Sequence, residues 1–124
     1  MTKEEKQLLT IDLCMRLPYY TELYSNVADG NWAILTPVVI SNLMNATDKL
    51  VIKPYLRPMS SMTEEEINEF ILISDTVLWL GNKRSTCILS LKQMDWLNAH
   101  HFDYRGLIEK GLALEAPEDM YKTE

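Results

Sequence analysis

Residues 94–117 read MDWLNAHHFDYRGLIEKGLALEAP, and the organisation of the chain follows from this stretch. It carries both histidines, one of the three tryptophans and two of the four glycines. Trp96, Leu97, His100 and His101 are spaced as at the end of a helix, where imidazolium charge is favourable beside the helix dipole. Asp103 then reads as the N-cap of a short helix over 104–110, closed by Gly111 in the left-handed cap position, with Leu112 and Leu114 folded back onto a core. Pro117 prevents the helix from resuming, and residues 118–124 read as a polar, frayed tail.

Working upstream, Ile88, Leu91, Met94 and Leu97 step by three, which predicts a helix capped at Ser85 or Thr86 and ending near His100. Thr63 and Glu66 form a capping-box pattern, and the acidic first turn Glu64-Glu65-Glu66 complements the positive end of the dipole. The helix they start is expected to run to Leu80, stopped by Gly81-Asn82. The rival is a helix ending near Ile73, with a strand over 77–80. Residues 53–62, with Pro54 and Pro58, read as an extended connector between halves.

Residues 19–53 carry β-formers with turn residues between them and predict a small antiparallel sheet: strands at 19–24, within 32–41 and at 49–52, with Asp29-Gly30-Asn31 as a turn. Pro37 makes the middle strand an edge or a bulge, and 43–48 read as loop. At the N-terminus, Thr2 and Glu5 make another capping box. Leu8, Leu9, Ile11, Leu13 and Met15 then predict a helix over 3–16 that Pro18 ends. The expected architecture is a single α+β domain over 1–124: an N-terminal helix, a small antiparallel sheet, open or curled like a small barrel, and C-terminal helices over 63–114.

At 124 residues, with 47% hydrophobic and 24% charged residues, the composition is that of one globular core. The net charge of −6, from 18 acidic and 12 basic residues, argues against a general nucleic-acid binder. Lys83-Arg84 and Lys53 with Arg57 are too sparse to reverse that. Cys14 and Cys87 sit among apolar neighbours and read as two buried free thiols of a reducing cytosol, with one disulfide as the alternative. The polar start MTKEEKQLLT lacks the features of a secretory signal, and no run approaches the ~20 apolar residues of a membrane span. These features predict a cytoplasmic protein.

The chemistry-bearing residues gather in the opening stretch. His100 and His101, with Asp95 and Asp103 nearby, could form a His–carboxylate site for a metal or for acid–base work. Adjacent helical residues point about 100° apart, however, and no third ligand stands at a recognisable spacing. The plainer reading has one imidazole packed at the helix end, the other solvated, and Asp103 capping. Tyr104-Arg105-Gly106 could bind an anion, against an ion pair of Arg105 with Glu109. The candidate ligand-binding set is therefore His100, His101, Asp103 and Arg105, with no catalytic residue, metal or cofactor assigned. Trp32, Trp79 and Trp96 are expected in the core, Glu64 to Glu66 on a solvated helix start, and Met59 with Met62 in the core or on a binding patch. No glycine-rich phosphate loop, nucleophile elbow or CxxC occurs.

Two blocks, KPYLRPMSSMTEEE at 53–66 and DWLNAHHFDYRGLIEKGLAL at 95–114, resemble a group of small proteins encoded by gut Bacteroides-type bacteria and by their phages and prophages. The resemblance implies a mobile-element origin and brings no activity, catalytic residue or cofactor with it. The functional expectation is a non-enzymatic phage- or prophage-encoded accessory protein that binds a host or phage protein. The alternatives are a small-ligand or hydrolytic site at His100, His101, Asp103 and Arg105, and a homo-oligomeric structural component.

Overall fold

The computed structural model describes residues 2–45, 49–73, 79–80, 83–84 and 91–121, the two short segments at 79–84 as backbone only. Among these residues the α-helices α1 (Lys3–Arg16), α2 (Pro37–Asn45), α3 (Glu64–Leu72) and α4 (Leu91–Ala99) accompany strands β1 (Glu22–Ser25), β2 (Trp32–Ile34), β3 (Ile52–Pro58), β4 (Trp79–Leu80), β5 (Lys83–Arg84), β6 (Phe102–Asp103) and β7 (Leu114–Glu115). The fold is α+β, as the sequence predicts. Its main sheet is mixed rather than antiparallel, and open rather than closed into a barrel. The bonded order is β2-β1-β3-β6, with β7 also paired to β3. β1 runs antiparallel to β2 and β3, while β6 and β7 run parallel to β3.

The expected connector is the central strand. Residues 52–56 of β3 alternate buried and half-buried, so the strand period is present in the sequence, masked by its prolines. Pro54 is tolerated because of register. The Asn26 N–H bonds the Val51 carbonyl at 3.1 Å, and antiparallel pairs alternate, so Tyr24↔Lys53 is the next bonded pair and Leu23↔Pro54 needs no N–H. On the other edge, pairing with β7 begins only at Tyr55.

That alternation also places β6. The Arg57 N–H bonds the His101 carbonyl at 2.7 Å, and Arg57 has the same parity as Lys53, so β6 lies beyond β1 on one edge of β3. The Ala116 N–H bonds the Leu56 carbonyl, which puts β7 on the opposite edge.

Helix α1 has its predicted capping box: Thr2 Oγ1 accepts from the Glu5 N–H at 3.0 Å, and Glu5 Oε1 from the Thr2 N–H at 2.8 Å. Its buried side is Leu9, Asp12, Leu13 and Arg16, whereas Ile11, Cys14 and Met15 are exposed. The expected burial of Cys14 is thus corrected, and Cys87 lies outside the described residues. Residues 32–41 are also corrected. β2 stops at Ile34, and Thr36 caps α2, accepting from the Val39 N–H at 3.3 Å, with Pro37 at the first helical position, where no N–H is required. Residues 43–45, expected as loop, continue that helix; 46–48 lie outside the described residues.

Helix α3 starts as predicted, on a Thr63–Glu66 capping box, but ends at Leu72 rather than Leu80; β4 then pairs antiparallel with β5. The proposed start of the following helix at 85 or 86 lies outside the described residues, and its end at Ala99 is close to expectation. The 104–110 helix is reduced to one turn. Gly111 closes it at φ 75°, with Gly111 N–H to the Ile108 carbonyl and Leu112 N–H to the Leu107 carbonyl, the double bond of a left-handed helix cap. Leu107, Leu112 and Ala113 join Leu9, Leu13, Leu23, Leu43 and Leu56 in the larger core. Trp96, Leu97 and Phe102 form a smaller one under α3, and Trp32, expected in the core, is exposed.

Candidate functional site

The four candidate residues surround β6, where the chain leaves α4. His101 makes the turn at φ 63°, its N–H bonded to the Asn98 carbonyl, so that the two adjacent imidazoles diverge. The His100 ring lies 4.2 Å from Trp96, with Nδ1 3.9 Å from Glu66. Glu66 is held by two bonds of 2.7 and 2.8 Å from Arg57, whose guanidinium lies 4.1 Å over the Phe102 ring. These bonds lower the Glu66 carboxyl to about 2, with the Thr63 backbone N–H adding to the effect. Glu66 is therefore a strap across the smaller core, and only Glu64 and Glu65 keep the expected solvated role.

His101 turns inward. Its ring stacks on Tyr121 at 3.7 Å, and its Nδ1 lies 3.4 Å from Thr21 Oγ1. Burial pushes the imidazole down to about 4, helped by the positive charges of Arg16, His100 and Arg57, so His101 is neutral at pH 7. The Tyr121 hydroxyl accepts from the Glu22 N–H at 2.9 Å and donates to the Tyr55 carbonyl at 2.8 Å. Glu22 and Tyr55 are the residues that one further step of the β1–β3 ladder would pair. The phenol stands in for that step, and burial raises its pKa well above the ordinary tyrosine range. The expected frayed tail is thus anchored as far as Tyr121, and 122–124 lie outside the described residues.

Asp103 ends β6 and spends both carboxylate oxygens on backbone, Oδ1 on the Leu107 N–H at 2.8 Å and Oδ2 on the Ile108 N–H at 2.9 Å. It caps, as expected, though a turn rather than a helix. Arg105 pairs with Asp12 at 3.1 Å instead of with Glu109. Asp12 is fully buried and also holds the equally buried Arg16, with Arg16 Nε 2.7 Å from Oδ2. Arg16 Nη2 donates to the Phe102 carbonyl at 2.7 Å. Tyr104 lies between the two arginines, its ring 5.3 Å from Arg16 and 5.0 Å from Arg105, and its hydroxyl donates to Asn98 Oδ1 at 2.9 Å.

His100, His101, Asp103 and Arg105 therefore share a neighbourhood but turn to four different sets of partners. Among the described residues no group of three or more His, Cys, Asp and Glu side chains is placed to hold a metal ion. The densest polar chemistry is instead the cluster of Asp12, Arg16, Asn98, Tyr104 and Arg105, of which Tyr104 and Arg105 stood out in the sequence. Its signal was available. Asp12 and Arg16 are four apart and fall on the stripe of Leu9 and Leu13, which puts an acid and a base on the buried side of α1. No helix among the described residues is long and apolar enough to cross a membrane. The cluster has to be understood from its own geometry, because no protein-family model, no curated protein and no solved structure matches this chain.

Proposed function

We propose that the chain is a non-enzymatic binding protein, a cytoplasmic accessory protein of a phage or prophage that engages a host or phage protein through its outer face. The observation that carries this reading is the surface of α3. None of its residues is buried, and Ile67, Ile71 and Leu72 are 43, 60 and 83% exposed behind the acidic turn of Glu64 and Glu65. Ile67 and Ile71, four apart, lie one above the other, while Phe70 and Ile73 turn inward onto the smaller core. Single exposed apolar residues are ordinary; a contiguous group rimmed by charge marks an interaction surface. The partner that fits is a protein with an apolar groove and a basic rim, because the acidic turn and the net charge of −6 favour a positive surface.

The non-enzymatic part of the reading is supported by the engagement of His101, Asp103 and Arg105 within the fold, which leaves no pair of candidate groups aimed at a common substrate position. The test is a pull-down from host lysate with the full chain and with an Ile71→Lys/Leu72→Lys variant. A specific protein retained by the first and lost by the second is expected; repeated failure to retain one, or equal retention by both, overturns the reading. Light scattering on the same pair separates the homo-oligomer alternative, since self-association abolished by the two lysines would make the partner a second copy.

A further inference from the structure

We infer that residues 117–121 form a strap that closes on Tyr121 and lifts when the His101 imidazole takes up a proton, while β3 and β6 stay paired. The strap begins where the Ala116 N–H bonds the Leu56 carbonyl, and its Met120 N–H turns back to the Pro117 carbonyl within the segment. Among the described residues, its hydrogen bonds to the rest of the fold all come from the Tyr121 hydroxyl. That oxygen accepts from the Glu22 N–H at 2.9 Å and donates to the Tyr55 carbonyl at 2.8 Å, with the Glu22 carbonyl at 3.3 Å. Pro117, Glu118 and Asp119 are exposed. A terminal segment held at one point opens at a lower free energy than the strands it lies on.

What the strap covers is His101. The two rings stack at 3.7 Å with their planes 15° apart, and His101 Nδ1 lies 3.4 Å from Thr21 Oγ1. The charges that bear on the imidazole are positive from each side: Arg16 on α1, His100 at the end of α4 and Arg57 on β3. The acids of the surrounding elements are engaged elsewhere, Asp12 by Arg16 and Arg105, Asp103 by two backbone N–H groups, Glu66 by Arg57 and Glu22 by the Trp32 indole. Among the described residues no carboxylate lies within ion-pair distance of His101. An imidazolium carries a donor on each ring nitrogen, and in this setting it needs water. Unzipping β6 to admit water would break the Arg57 N–H bond to the His101 carbonyl and the Arg16 bond to the Phe102 carbonyl, and would uncover fully buried Phe102. Lifting Tyr121 breaks the bonds of one hydroxyl and one ring stack. The strap therefore yields first. Burial and the three positive groups hold the imidazole down to about 4 while the strap is closed, against 6.5 when water reaches it, so the closed form is favoured above pH 6.5 and gives way as the pH falls toward 4.

Native-state amide exchange of the full chain, with rates corrected for the intrinsic effect of pH, tests the strap. An imidazole at 6.5 in the open form and about 4 in the closed one should raise exchange at the Glu22 N–H by about 50-fold between pH 7 and pH 4.5. A local opening exposes little surface, so this rate should stay flat in low urea. The Arg57 and Leu35 N–H groups, bonded to the His101 and Thr21 carbonyls, should exchange more slowly at both pH values and accelerate with urea. His101→Asn should remove the pH response at Glu22. Exchange at Glu22 that ignores pH, that matches Arg57 in rate and urea dependence, or that responds equally in His101→Asn overturns the inference. If that variant fails to fold, the comparison of Glu22 with Arg57 in the unaltered chain decides.

Discussion

The core that α1 and α2 share with β1 and β3 is aliphatic, built from leucines and isoleucines with Leu107, Leu112 and Ala113. The corner around β6 has three buried apolar residues, Trp96, Leu97 and Phe102, beside Asp12, Arg16, Asn98, His101 and Asp103. In the first region the stabilising interaction is non-directional and proportional to area, so another side chain of similar volume serves. In the second, each polar group depends on a named partner, and deleting one strands another in a medium that cannot solvate it.

The widest separation between the regions is expected from Asp12→Asn. It removes the carboxylate that holds fully buried Arg16, and urea unfolding should show a loss of about 3–5 kcal/mol. Leu56→Met, at an equally buried position of the aliphatic core, should cost under about 1.5 kcal/mol. Equal small losses would break the contrast.

Acid should act on the β6 corner first. The His101 imidazole titrates at about 4 in the folded chain and at 6.5 in the unfolded one, so between these values the unfolded state binds more protons. Stability is therefore full above pH 6.5 and falls as the pH drops to 4, by at most about 3 kcal/mol. His101→Asn, which tolerates the positive φ, should flatten the slope in that window when unfolding is followed at several pH values. Glu66 adds a later loss. Its carboxyl lies at about 2 folded against 4.5 unfolded, so its contribution is whole above 4.5 and disappears on the way to 2, in the variant as well.

A smaller effect is expected where the two regions meet. Tyr121→Phe keeps the ring against His101 but leaves the Glu22 N–H and the Tyr55 carbonyl without their shared partner, at about 1–3 kcal/mol. Faster amide exchange at Glu22 would be the specific sign; unchanged exchange would mean that β1 and β3 close the gap themselves. The smallest is Thr63→Ala, at about 1 kcal/mol by urea unfolding, because that cap is local to α3 and belongs to neither core.

The features legible in the sequence were the ones decided within four or five residues. The two Thr–Glu capping boxes, the Asp29-Gly30-Asn31 turn, the Gly111 cap and the end of α1 at Pro18 all belong to this class. What was misread had a local signal that long-range pairing overrode. Pro54 argued against a central strand, yet register placed it where no N–H is needed. Pro37 argued for a broken strand, yet Thr36 before it made a helix start. Asp12 and Arg16 were visible as a spacing on α1, but the third member of the cluster, Arg105, lies 93 residues away.

By itself the sequence determined the starts of α1 and α3, the Asp29-Gly30-Asn31 turn and the Gly111 cap, the α+β class and the net acidic charge, since capping geometry, backbone preference and composition act over short distances or none. The order of the sheet, the inward turn of His101, the anchoring of Tyr121 and the joining of two arginines on one buried carboxylate were decided only in the tertiary structure. Each of these depends on partners brought from far along the chain into a place without water, where a polar group must find whatever acceptor or donor the packing presents.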